Sequence, residues 1–432
     1  MTTLGIIAEY NPLHNGHVHH FTESKKRAGA ECSIVIMSGP FTQRGEPAAV
    51  SKYARTEMAL HMGADVVIEL PVAYAVQPAE WFAFGAVSLL EATGVVDSLC
   101  FGSEAGALEQ LLPLAEYLAE ESSELQSAIR HRLSLGESFP AAFSAAAASM
   151  WSEDLRGKPQ NQMSSPLGDS EAANPIESTG ADSIGELIRQ PNNSLGLHYL
   201  IALRRLHSQI KPLTVPRTGA GFHDPLQTDS AIASATAIRS LLQEGGTPAS
   251  YMPDYSLRIM EREKAAGRGP VTLESFSTTL RHLLSTHTSA ELETYQDMNE
   301  GLENRLLRVM TELEHFSVSS LLDVLKSKRY TRTRLQRMLV HALLNHPKNE
   351  LSPSILGQGP GYIRVLGFRE SGRPLLKRMK KSATLPIVMR PALCSHPQLV
   401  RDLQASAAYA GAFRSPLRSD LYRDYLEPPV RV

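Results

Sequence analysis

Cysteine is scarce in this chain and long apolar runs are absent. The three cysteines, Cys32, Cys100 and Cys394, are far apart, odd in number and without metal-ligand spacing. A disulfide framework and a structural zinc site are therefore not expected. No apolar stretch approaches the roughly 20 residues that cross a bilayer. The N-terminus lacks the basic start and continuous apolar segment of a signal peptide. The resulting expectation is a cytoplasmic setting with no membrane partner. Net charge is also nearly missing, at −2 over 432 residues, and no internal repeat is present.

The near-zero charge hides an asymmetry. Between Lys326 and Lys381 there are fourteen Lys or Arg against two acids, Glu350 and Glu370, a local surplus of twelve. Within Lys326–Arg337 no acid stands at helical spacing to offset the cations, so a polyanionic partner is expected there.

What the chain does contain is an alternation of short apolar runs with helical patterns. Candidate strands are Leu4–Ala8, Ser33–Met37, Val66–Leu70, Ser98–Phe101 and Leu213–Pro216. Candidate helices are His17–Ala28, Lys52–Met62, Glu80–Thr93 and Leu108–Leu118. Strands separated by helices predict an α/β fold with a Rossmann-like parallel sheet. Residues 1–250 are expected to form this domain. Residues 152–190, rich in Ser, Pro, Gly and acids, read as a flexible insertion with one helical turn near Ile184–Ile188. Residues 251–432 read as a mostly helical, basic region, with a short strand at Tyr362–Leu366.

The richest feature follows the first predicted strand, at His14-Asn15-Gly16-His17. A glycine between two histidines at a strand-to-helix turn lets backbone approach a ligand, offers free helix N–H groups, and adds imidazole donors. Such a turn suits a nucleotide triphosphate. Donors aimed at the α-phosphate oxygens lower the barrier to attack without a covalent enzyme intermediate. Far downstream, Ser234-Ala235-Thr236-Ala237-Ile238-Arg239 sets two hydroxyls at a helix start with an arginine one turn later, a second anion site. Lys52, Phe101-Gly102-Ser103-Glu104, Pro191-Asn192-Asn193 and Arg217-Thr218-Gly219 border strand or helix ends, where an open α/β sheet binds ligands. Lys52 is a candidate to neutralise a phosphate. No dedicated carboxylate cluster for a metal is present.

The H-x-G-H turn paired with a late Ser/Thr-Arg turn resembles the nucleotidylyltransferase superfamily. The absence of a Lys-Met-Ser-Lys-Ser segment excludes an ordinary class I aminoacyl-tRNA synthetase. Together with Met37-Ser38-Gly39, Gln43-Arg44-Gly45-Glu46-Pro47, Val67-Ile68-Glu69-Leu70-Pro71 and Lys328-Arg329-Tyr330-Thr331-Arg332-Thr333-Arg334-Leu335-Gln336-Arg337, these motifs resemble the bacterial tRNA(Met) cytidine acetate ligase family over nearly the whole chain. The segment at 152–190 is longer than the family pattern.

The resemblance implies an ATP-dependent ligase. Such an enzyme joins acetate to AMP and passes the acetyl group to the wobble cytidine of elongator tRNA(Met). It implies His14 and His17 as catalytic residues. It also implies a nucleotide site made of Ile7, Ala8, Glu9, Tyr10, Asn11, Pro12, Leu13, His14, Asn15, Gly16, His17, Val18, His19 and His20, with Gly102, Asn192 and Arg217. Mg2+ is expected with the triphosphate, and no protein partner is expected. Two other readings compete. One is an adenylyltransferase for a small phosphorylated cofactor precursor, which would not need the long C-terminal region. The other is a non-catalytic RNA-binding protein, which would not need both histidines.

Overall fold

In the computed structural model, residues 1–104, 106, 108–120, 122–157, 181–217 and 232–432 are described. The strands are β1 (Thr3–Ala8), β2 (Cys32–Ser38), β3 (Val66–Leu70), β4 (Ser98–Ser103), β5 (Lys211–Pro216), β6 (Ile363–Phe368), β7 (Ile387–Val388) and β8 (Val430–Arg431). They form one sheet in the order β5–β4–β1–β2–β3–β6–β7, with β8 also paired to β6. The first five strands run parallel. From β1 the chain steps outward through β2 and β3, then returns past β1 to β4 and β5. The strand order therefore reverses between β1 and β4, and the crevice beyond their carboxyl ends is where such sheets bind ligands.

Alternation along the central strands serves two cores, because helices cover both faces. Ile34, Ile36, Ile68 and Leu70 pack with Phe82, Leu89 and Leu197 on one face. Val35, Met37 and Val67 pack with Phe21, Ala54 and Met58 on the other. A third core joins Phe41, Val72 and Val76 to C-terminal helices through Leu306, Leu335, Leu339 and Tyr409.

The chain after residue 250 is mostly helical but returns to the sheet. The expected short strand is β6, which runs antiparallel on β3 with Glu69 opposite Arg364 and Val66 opposite Phe368. β7 and β8 add to it. The described flanks of the expected insertion are helical rather than looped. Residues 152–157 end the helix Phe139–Gly157, and Ala181–Arg189 is a helix that buries Ile184, Leu187 and Ile188. The rest of that insertion, 158–180, lies outside the described residues, as do Thr218 and Gly219. Among the described residues no helix is long and apolar enough to cross a membrane. All three cysteines are free.

Candidate active site

A cleft of ≈ 720 Å³ opens beyond the carboxyl ends of β1 and β4. Its histidines are set by the start of the helix Asn15–Ala28. His14 is the N-cap, and its Nδ1 accepts the Gly16 N–H at 3.1 Å. His17 Nδ1 reciprocally accepts the His14 N–H at 3.3 Å. The two rings lie 3.8 Å apart at 35°. Because both Nδ1 atoms accept, each ring carries its proton on Nε2, the atom left to donate to a ligand. A Cβ built at Gly16 would come within 2.9 Å of His14 Cε1, so the glycine keeps room for the capping ring. Tyr10 backs His17 edge-on at 5.0 Å.

Burial holds these rings neutral. The His14 imidazole is lowered to about 3, first by desolvation and then by Arg217 and Arg239. His17 is well below its ordinary value, through desolvation and then its neighbours His14, His20 and Arg217. His20 is lowered to about 4 by burial, although its ring hydrogen-bonds the Phe101 backbone.

The second anion site joins the first. Ser234 caps the helix Ala235–Gln243, its Oγ accepting the Ala237 N–H at 3.2 Å. One turn later, Arg239 Nη1 donates to the Asn11 carbonyl at 3.0 Å. Arg239 Nη2 lies 3.0 Å from Glu46 Oε2. Asn11 Oδ1 in turn accepts the Ala49 N–H at 2.8 Å. The turn after β1, the loop after β2 and the late helix are thus tied at one point.

Gly102 and Asn192 also line the cleft. Among the described residues, a Cβ at Gly102 would meet only His20 Cδ2 and Arg217 Cγ, both at 3.9 Å, which leaves room there. Glu104 docks the helix Pro191–Arg205. Its Oε1 accepts the Asn192 N–H at 2.9 Å and its Oε2 the Asn193 N–H at 2.9 Å, a carboxylate at a helix N-terminus. Asn193 Oδ1 accepts the Ser103 hydroxyl at 2.6 Å.

Of the expected nucleotide residues, Ile7, Ala8, Glu9, Tyr10, Asn11, His14, Gly16, His17, His19, His20, Gly102, Asn192 and Arg217 line the cleft. Pro12, Leu13, Asn15 and Val18 do not. Leu13 is fully buried in the core, Val18 packs against the same core, and Asn15 Nδ2 donates to the Ser250 carbonyl. Lys52 is not at the cleft either. It is 2 % exposed, with Nζ 2.8 Å from Glu69 Oε1 and 3.0 Å from Asp424 Oδ2. A helix-start lysine suggests an anion site, but the acids that claim this one come from distant parts of the chain. Arg55 passes unnoticed in the sequence. Fully buried, it donates to the backbone carbonyls of Glu9 at 2.7 Å, Ser38 at 3.0 Å and Gly39, fixing the ends of β1 and β2.

The basic segment divides in two. At the carboxyl end of the sheet, the helix Arg332–Leu343 packs on the loop after β2. A Cβ at Gly45 (φ 72°) would lie 2.2 Å from the Arg337 nitrogen. Its arginines and Arg329 just before it do find acids, contrary to the local expectation: Glu300 for Arg329 and Arg334, Asp323 for Arg332, and Asp297 for Arg337. After antiparallel β6, the helix Arg373–Ser382 sits at the amino end, where Arg378 donates to the Met1 carbonyl. Lys377, Lys380 and Lys381 are exposed there and have no ion-pair partner among the described residues.

Comparison with known proteins agrees with this geometry. The model of the HIGH nucleotidyl transferase family matches residues 1–423. The chain is 38% identical over 439 residues to the tRNA(Met) cytidine acetate ligase of Caldanaerobacter subterraneus subsp. tengcongensis, covering 100% of both. It is 38% identical over 435 residues to the protein of that name from Lysinibacillus sphaericus, again covering 100% of both. The crystal structure of Thermotoga maritima TmcAL bound with alpha-thio ATP is similar over 100% of both chains, with a TM-score of 0.86 and 33% identity. The apo form gives 0.88 at the same identity and coverage.

Proposed function

Since this chain belongs to the HIGH nucleotidyl transferase family, and within it to the tRNA(Met) cytidine acetate ligases, we propose that it activates acetate with ATP and acetylates the wobble cytidine of elongator tRNA(Met). The product is N4-acetylcytidine. The observation that carries this reading is the reciprocal cap of His14 and His17 at the strand-order reversal, with Arg217 and Arg239 beside it.

In the first step the acetate carboxylate attacks the α-phosphorus of ATP and pyrophosphate leaves. Negative charge grows on the non-bridging and departing oxygens. The Nε2–H groups of His14 and His17 and the guanidinium of Arg217 are placed to meet it, and one such donor contributes about 3 kcal/mol. Gly102 and Asn192 border the nucleoside. Pro12, Leu13, Asn15 and Val18 complete the turn that carries these groups. In the second step acetyl-AMP, a mixed anhydride, is attacked by the cytidine amine. Holding the two together supplies, at best, about 7 kcal/mol or more through orientation.

The described residues contain no group of three or more His, Cys, Asp or Glu suited to a metal. Glu46, one of the carboxylates at the cleft, is engaged by Arg239. We therefore place Mg2+ on the triphosphate itself and assign no step to it. Residues 1–250 supply the nucleotide site and 251–432 the tRNA contacts, with Lys377, Lys380 and Lys381 available to phosphates. The setting is the cytoplasm, and the scheme requires no protein partner.

The test is incubation of the purified protein with ATP, labelled acetate and elongator tRNA(Met), followed by nucleoside analysis. Acetylated cytidine and acetate-dependent pyrophosphate release are expected. An unmodified tRNA would overturn the assignment.

A further inference from the structure

Among the described residues two carboxylates line the cleft, Glu9 and Glu46, and they are not equivalent. Glu46 uses both oxygens, Oε2 on Arg239 at 3.0 Å and Oε1 on the Gln336 amide at 3.3 Å. Glu9 uses Oε1 alone, accepting the Gln43 N–H at 2.7 Å. Its Oε2 has no partner among the described residues. Of the nearby imidazoles, those of His14, His17 and His20 have no acceptor to spare. Both Nδ1 atoms of His14 and His17 are occupied by the cap. His20 is engaged by Ser24 Oγ at 3.4 Å and by the Phe101 backbone.

The two steps of the reaction make different demands. Acetate attacks as a carboxylate and has no proton to lose. The cytidine amine attacks as a neutral group and must lose one. Resting on the acetate ligase reading above, we infer that Glu9 is the general base of the second step. The amine lone pair forms the C–N bond to the acetyl carbon. The bond from that carbon to the phosphate oxygen breaks, and its electron pair leaves with AMP. The N4 proton passes to Glu9 Oε2 and from there to water.

The surroundings suit that role. Burial raises the Glu9 carboxyl above its ordinary value, against the lowering influence of the Gln43 N–H and of Arg44, Arg239 and Arg55. The Tyr199 ring is a further titratable neighbour. A carboxylate raised in this way is a better proton acceptor near neutral pH.

The experiment compares Glu9→Gln with the unsubstituted protein in two assays: acetate-dependent ATP–pyrophosphate exchange, and single-turnover transfer from preformed acetyl-AMP to tRNA across about pH 5 to 8. Glutamine keeps an oxygen for the Gln43 N–H. Transfer is expected to fall on the order of 10²-fold, with exchange reduced far less. The acid limb of the transfer profile should vanish, and Glu9→Asp should restore part of it. Equal loss in both assays would overturn the proposal. So would an acid limb that persists in Glu9→Gln, or one that disappears instead in His19→Gln. Absence of acetate-dependent exchange in the unsubstituted protein would overturn the ligase reading itself, and the proposal with it.

Discussion

Glu46 stands between Arg239, 3.0 Å from one carboxylate oxygen, and Gln336, whose amide lies 3.3 Å from the other. Arg239 also holds the Asn11 carbonyl, so one acid connects the helix Arg332–Leu343 to the turn that carries His14 and His17. The pair with Arg239 is partly exposed and contributes little to stability, about 1 kcal/mol or less. Its effect is positional. Glu46→Ala is expected to shift the melting temperature little and to lower kcat/KM for ATP about tenfold, roughly 1.4 kcal/mol. Glu46→Gln, which keeps the contact to Gln336, should recover part of the loss. Thermal denaturation and pyrophosphate exchange together check this.

His14 has two duties that substitution can separate. Asparagine also caps a helix well, whereas alanine forfeits about 1 kcal/mol of helix-start stability. His14→Asn should therefore remain as stable as the parent, and His14→Ala should lose about that much in urea titrations. Both should lose on the order of 10²-fold in adenylation, because neither supplies the Nε2–H donor. Full activity in His14→Asn would reduce the imidazole to a cap.

Lys52 is expected to matter for folding and not for nucleotide affinity. Lys52→Met leaves Glu69 and Asp424 facing each other in the core without the ammonium between them, with Arg364 paired to Asp424. Breaking a buried pair in this way costs about 3–5 kcal/mol. Urea unfolding should show that loss, and any protein that remains folded should bind ATP with unchanged affinity in equilibrium titration.

Gly102→Leu tests the converse. A first carbon at this position has two neighbours among the described residues, both at 3.9 Å, so stability should change by less than about 0.5 kcal/mol. The longer side chain would occupy the cleft and raise KM for ATP at least tenfold. Steady-state kinetics alongside thermal unfolding would read both effects.

The buried imidazoles set an acid limit to stability. His14, His198 and His341 are lowered to about 3, 4 and 3, each chiefly by burial. Unfolded, each titrates near 6.5. Between those values the unfolded chain binds more protons than the folded one. Stability is therefore fully present above about pH 6.5 and is lost as pH falls, by about 1.4 kcal/mol per unit for each such histidine. Urea midpoints should decline from about pH 7 to about pH 5, before most carboxylates titrate. A His198→Phe variant, which removes a histidine outside the cleft lining, should decline less steeply.

Much of this architecture was legible in the sequence because local chemistry and tertiary structure agreed. Val66–Leu70 and Lys52–Met62 have the bounds their patterns imply. The helices Ser123–Ser134 and Phe139–Gly157 were not legible, the second because its Ala- and Ser-rich face offers little contrast between buried and exposed positions. His14, Gly16 and His17 could be singled out because their chemistry is packed into four residues. Arg55 could not, since the backbone groups it holds come from distant strands, and Glu104, although part of the Phe101–Glu104 turn that could be singled out, gave no sign of the distant helix start it docks. The charge surplus misled for the same reason: Asp297, Glu300 and Asp323, which meet the arginines between 329 and 337, lie upstream of the segment.

The antiparallel seating of β6 on β3 also governs how this protein can be dissected. A chain truncated at residue 250 would bare the outer rim of β3, with a row of unpaired amides and carbonyls flanked by Val67 and Ile68. Such a rim recruits other chains. The excised fragment would self-associate instead of behaving as a free-standing nucleotide module, so the contributions of the two halves are better separated by side-chain replacement than by cutting.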